Sequence, residues 1–121
     1  MKRFVILAHD WPTPHYDFLL EAEGCLKAWR LATPPLPHTD QHVEAGSDHR
    51  LVYLDYEGPV SGGRGTVTRW DHGTYTGQLA PPPLTLQLAG ARLRGLVRLE
   101  PQAGSTWRLR WQPDPADAPV A

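Results

Sequence analysis

Two histidines and an aspartate lie close together near the start of the chain, in the stretch His9-Asp10-Trp11-Pro12-Thr13-Pro14-His15-Tyr16-Asp17. His15 and Asp17 are two residues apart, so on a strand they share one face, about 6–7 Å apart along the backbone. Pro12-Thr13-Pro14 predicts a turn between strands over residues 4–8 and 14–21, and that hairpin carries His9 back towards His15 and Asp17. Neutral imidazole with carboxylate suits Mn²⁺, Zn²⁺ or Fe²⁺. Such an ion polarises a phosphoryl oxygen and lowers the pKa of a bound water. The plain alternative is a turn with capping polar groups and a His–Asp hydrogen bond. Asp10 is expected to cap the turn after the first strand, and Glu21 to orient a histidine from behind the ligands.

The elements that must position this hairpin read as strands. Thirteen prolines and 11 glycines in 121 residues punctuate the chain too often for long helices. Residues 4–8 form an apolar, β-branched run, and aromatic content favours a strand over 16–21. A third strand is expected around Leu26, Ala28 and Leu31, then a loop over 32–47 with at most short helical turns, then a strand over 49–56. A hairpin is expected with strands 66–70 and 74–79 about a tight turn at Asp71-His72-Gly73. Strands over 84–88, 92–99 and 106–111 complete the set. Eight or nine short strands predict an all-β fold, a small and mostly antiparallel barrel over residues 1–112, with 113–121 as a frayed tail.

Composition narrows the class further. Twelve basic and 13 acidic residues give a net charge of −1, which excludes a strongly basic nucleic-acid coat. The single Cys25 excludes an internal disulfide and fits a reducing cytoplasm. The apolar run before His9 is too short for an export signal or a membrane span, so a cytoplasmic protein with no membrane partner is expected. Residues 61–65 (Ser-Gly-Gly-Arg-Gly) lack the lysine and helix context of a P-loop and read as a glycine-rich hairpin. Arg92, Arg94, Arg98, Arg108 and Arg110 form a basic stripe if the last two strands pair. That stripe is either a nucleic-acid track or a solvated barrel exterior. Trp107 and Trp111 face away from the arginines and read as core, and His38, His42 and His72 as solvated loop residues.

Residues 4–21, 24–29, 48–53, 55–58, 65–67, 70–73, 92–95 and 107–111 together resemble one known family. The sequence is similar to the 3′-phosphoesterase domain of bacterial DNA ligase D, which also occurs as small stand-alone proteins. The resemblance spans nearly the whole chain and is most specific at the His9–Asp17 segment. It implies a β-barrel that binds Mn²⁺ and, at DNA ends under repair by end joining, trims a 3′-terminal ribonucleotide and removes the 3′-phosphate. It implies His9, His15 and Asp17 as metal ligands, with His49 and Tyr53 on the scissile phosphate. DNA or RNA 3′ ends are the implied partners, together with a ligase or polymerase of repair.

Fully extended, His49 and Tyr53 lie about 13 Å apart, so both reach one phosphate only if His49 sits on a bend. A protonated histidine there stabilises phosphate charge or protonates the leaving oxygen, and the tyrosine hydroxyl donates a hydrogen bond. The alternative is a strand-end histidine and a core tyrosine. Two positions depart from the family pattern: Leu19 replaces an arginine, and Thr33 falls near an expected lysine. Arg64 is a candidate for the phosphate contact that Leu19 cannot make. These departures keep open a catalytically weakened binding module of the same fold, or an enzyme on another phosphate ester.

Overall fold

A computed structural model describes residues 1–115. Nine strands follow in order: β1 (Lys2–His9), β2 (His15–Glu21), β3 (Leu26–Leu31), β4 (Asp40–His49), β5 (Gly58–Pro59), β6 (Thr66–Thr76), β7 (Leu84–Gly90), β8 (Arg94–Ala103) and β9 (Thr106–Pro113). The sheet order is β1-β2-β3-β4-β9-β8-β7-β6-β5, and a further β1–β6 pairing closes it. Eight antiparallel strands therefore make a barrel without free edges, and β5 is an added strand against the start of β6.

Two layers of apolar side chains explain why β1 reads as an unbroken hydrophobic run. Phe4 and Ile6 point into the barrel beside Phe18, Leu20, Trp29 and the leucines of β7. Val5 and Leu7 point outward and are covered as well, by Leu19, Leu26, Ala28, Leu54 and Val67. A strand buried on both faces cannot alternate. The outer cover comes from the chain between β4 and β6, which crosses the barrel wall and includes a 3-10 turn at Leu51–Leu54. Inside, the Tyr75 hydroxyl donates to the Glu21 carbonyl at 2.5 Å. Burial, helped by the Glu21 carboxylate, pushes its pKa up to about 12.

The barrel, its strand number and the β1–β2 hairpin agree with the sequence expectations, while several local assignments are corrected. The expected loop over 32–47 contains most of β4. Only Val43 of that strand is buried, so it carries no hydrophobic period and is held by backbone pairing to β3 and β9. The expected strand over 49–56 is instead the turn Leu51–Leu54, of which Leu54 and Tyr53 pack into the outer layer while Leu51 and Val52 stay exposed. Residues 71–73 do not turn. They continue β6, and the register shift in the β1–β6 pairing falls beside them, between Ile6 and Leu7. Asp71 is 1% exposed and accepts backbone N–H bonds from Ala91, Arg92 and Leu93 at 2.8–3.0 Å, fixing the β7–β8 turn.

β8 starts at Arg94 rather than at residue 92. His42 and His72 are exposed, yet they lie on strands and not in loops. Pro113 ends β9, and the Asp114 N–H donates to the Arg94 carbonyl, so these two residues belong to the barrel and not to the expected tail; residues 116–121 lie outside the described residues. The arginine stripe is largely neutralised on the barrel exterior. Arg98 and Arg108 pair with Glu100, and Arg110 pairs with Asp40. The Arg92 guanidinium lies over the Trp70 ring. No helix among the described residues is long and apolar enough to cross a membrane.

Candidate metal centre

The β1–β2 register places His9 directly across from His15, and Leu7 across from Asp17. All three polar side chains lie on the outer face of the barrel wall, the face that also carries Val5, Leu7 and Leu19. One ligand-type atom from each of His9, His15 and Asp17 lies within 4.8 Å of the others. Asp17 Oδ2 is 3.3 Å from His15 Nε2 and 3.6 Å from His9 Nδ1. His15 is 4% and Asp17 7% exposed, so the cluster is desolvated.

Backbone carbonyls settle which ring nitrogens carry protons. His15 Nδ1 is 2.8 Å from the Thr13 carbonyl, and a carbonyl only accepts, so Nδ1 holds the hydrogen. His9 Nε2 is 2.8 Å from the Arg64 carbonyl and holds the hydrogen for the same reason. In the neutral form of each ring, the other nitrogen turns its lone pair towards the partner ring and the Asp17 carboxylate. His15 Nε2 is buried without a hydrogen-bond partner. Three electron-rich atoms converging without a donor, each imidazole steadied by a carbonyl behind it, fit a divalent cation.

The supporting groups differ from the expected ones. Asp10 does not cap its own turn: its carboxylate accepts the Thr66 N–H at 2.7 Å, tying the β1–β2 loop to β6. Glu21 is at the far end of β2 from His15, and its carboxylate accepts the Arg3 N–H rather than orienting a histidine. The glycine-rich segment contributes through its backbone, by the Arg64 carbonyl on His9. Gly65 has φ +73°, and a Cβ there would fall 2.5 Å from Trp11 Cβ and collide with the Asp10 carboxylate, so only glycine lets the two loops meet. The Arg64 guanidinium is held within its own loop, by the Ser61 carbonyl at 2.7 Å and the Ser61 hydroxyl.

The triad opens on a cleft of about 620 Å³ whose walls include His9, Asp17, Arg30, His49, Arg50, Tyr53 and Arg64. The 3-10 turn supplies the bend that His49 and Tyr53 require, bringing their ring centroids to 5.9 Å. His49 Nδ1 is 3.0 Å from the Ser47 carbonyl, which places a proton on Nδ1 and leaves Nε2 without a hydrogen-bond partner among the described residues. Leu19 is fully buried in the outer apolar layer and offers the cleft no cation.

Arg30 went unnoticed in the sequence. It is the β3 partner of Asp17, it is exposed, and it forms no ion pair among the described residues. Its β4 neighbour Glu44 is committed to the Ser105 and Thr106 hydroxyls, which hold that carboxyl below its usual pKa. Register alone reveals this contact, and the only signal was a charged residue on a face otherwise apolar.

A closed barrel with a His-His-Asp cluster on its outer wall, beside a cleft lined with arginines, has the donor set of a divalent-metal centre facing an anion site. Comparison with known proteins gives the family. Residues 7–100 match the DNA Ligase D 3′-phosphoesterase domain, and the chain belongs to that family. It is 35% identical, over 92% of its length, to the multifunctional non-homologous end joining DNA repair protein LigD of Mycobacterium tuberculosis. It is 40% identical, over 63% of its length, to the multifunctional non-homologous end joining protein LigD of Pseudomonas aeruginosa. The chain spans only 16% and 10% of the lengths of these two relatives.

Proposed function

We propose that the chain hydrolyses phosphate esters at the 3′ ends of nucleic acids, removing a 3′-terminal ribonucleoside or a 3′-phosphate during end-joining repair. The observation that carries this reading is the triad: two imidazole lone pairs and a buried carboxylate, converging without a donor, in a chain of the 3′-phosphoesterase family. His9, His15 and Asp17 hold a divalent ion, Mn²⁺ by preference. When bound, that ion supplies Lewis-acid polarisation of the phosphoryl group.

The remaining chemistry belongs to side chains of the cleft. Arg30 and Arg50 neutralise the phosphate with charge-assisted donors, and the Tyr53 hydroxyl donates to a phosphate oxygen. His49 in its protonated form gives the Nε2 proton to the leaving oxygen as the P–O bond breaks, the 5′ oxygen when a terminal ribonucleoside is released and the 3′ oxygen when the 3′-phosphate is removed. Water adds to phosphorus and releases its proton to solvent, which balances the step.

Leu19 supports a second reading, a module that binds nucleic acid or protein with little turnover. Both are tested by incubating metal-free protein with a labelled primer-template ending in a 3′-ribonucleotide or a 3′-phosphate, with and without Mn²⁺. Metal-dependent conversion, lost in His15→Ala and Asp17→Asn, is the expected result. A folded, metal-loaded wild type that binds the ends and leaves them intact would establish the binding module instead.

A further inference from the structure

We propose that Trp11 is a stacking platform for the nucleobase of the terminal nucleotide, so that the cleft is a nucleotide site and not a general phosphate site. The inference rests on reading the triad as the place where the 3′-phosphate of that nucleotide sits.

The chain has five tryptophans, and four are engaged within the fold. Trp29 and Trp107 meet edge to face at 5.4 Å. Trp70 is flanked by Tyr16 and by the Arg92 guanidinium, 4.7 Å from its ring centroid. The Trp111 indole N–H donates to the Arg94 carbonyl at 3.0 Å. Trp11 is different: it is 43% exposed, has no aromatic or hydrogen-bond partner among the described residues, and lines the cleft with His9, Asp17, Arg30 and His49.

Its exposure is not that of a loose loop tip. Asp10 fastens the segment to Thr66, and Gly65 packs against Trp11 Cβ. A large apolar ring left half in water costs free energy, and here it is held two residues from a candidate metal ligand. One nucleotide carries both chemistries that the cleft presents, an anionic phosphate for the arginines and a flat π face for the indole. Stacking of this kind tolerates any base, because each has a π face. A site for simple phosphate esters has no use for the ring.

The test uses two dye-labelled oligonucleotides with a hydrolysis-resistant 3′-phosphonate in Mn²⁺, one ending in 2-aminopurine and one with an abasic terminal residue. Binding to the wild type, Trp11→Phe and Trp11→Ala is read by anisotropy, and stacking by quenching of 2-aminopurine. Trp11→Ala is expected to weaken the base-bearing end roughly tenfold or more and abolish its quenching. The abasic end should be unaffected, and Trp11→Phe should retain most of the effect. Equal losses on both ends, no loss on either, or no binding by the wild type overturns the proposal. Turnover of a natural 3′-phosphate end is followed in parallel. Base-dependent binding without turnover defeats the phosphoesterase reading and leaves the stacking site standing, whereas turnover without base dependence removes the stacking site alone.

Discussion

Asp17 and Asp71 flank the same strand, one paired with Leu7 of β1 and the other with Ile6. Both are buried, yet their surroundings are opposite. Asp71 receives three backbone N–H donors, enough to satisfy both its oxygens without a counter-ion. Asp17 receives none among the described residues and faces two imidazole nitrogens whose protons are held elsewhere. Burial of a carboxylate costs free energy in both places. At Asp71 the fold itself offsets that cost, whereas at Asp17 the offset is left to something that binds. A buried acid therefore marks structure or chemistry according to what donates to it, and burial alone does not distinguish the two.

The largest effect is expected at the structural member of the pair. Asp71→Ala strands three N–H groups of the β7–β8 turn, among them that of the buried Leu93, and should cost about 3–5 kcal/mol in denaturant unfolding. Asp71→Asn should cost less and still destabilise, since its amide donates where acceptors are needed. A loss below 1 kcal/mol for Asp71→Ala would break the contrast.

Asp17→Asn should behave in the reverse sense. The metal-free variant is expected to melt at or above the wild-type temperature, because an unpaired buried carboxylate has gone. Mn²⁺ at a hundredfold excess over its Kd should stabilise the wild type by about 2.7 kcal/mol, a melting shift on the order of 10 °C. That shift should vanish in Asp17→Asn and, where Asp71→Asn remains folded, persist there. Calorimetry with and without Mn²⁺ reads both arms, and a shift retained in Asp17→Asn would remove the aspartate from the ligand set.

The smallest effect concerns the cation beside Asp17. Arg30→Ala should raise KM for a 3′-phosphate end by about tenfold, the equivalent of roughly 1.4 kcal/mol for a lost charge-assisted contact. The melting temperature should move little, because Arg30 is exposed and forms no ion pair. Arg98→Ala, on the neutralised stripe, serves as the control and should leave KM unchanged.

The sequence was most legible where the determinants are local. The β1–β2 hairpin could be read because its apolar, β-branched run, its proline-bounded turn and its three polar residues all fall within one short stretch. The strand β4 could not, because its side chains are mostly exposed and its order comes from neighbouring backbones distant in sequence. Asp71-His72-Gly73 has the composition of a turn, and only the β7–β8 backbone, about twenty residues later, explains why it runs straight. Arg30 and the Arg64 carbonyl were hidden for a related reason. The first depends on cross-strand register, and the second depends on a main-chain atom that no residue type announces.

Placing all three candidate ligands on one hairpin makes the site all-or-none with respect to alignment. A slip of β2 by one residue against β1 would turn His15 and Asp17 into the barrel interior, away from His9, and bring Phe18 and Leu20 out to the cleft. The short loop between these strands should therefore resist insertions and deletions more strictly than its exposure suggests. Natural variation around this centre is expected to appear as exchanged side chains on a loop of fixed length, with length changes confined to the glycine-rich segment on the other side of the cleft.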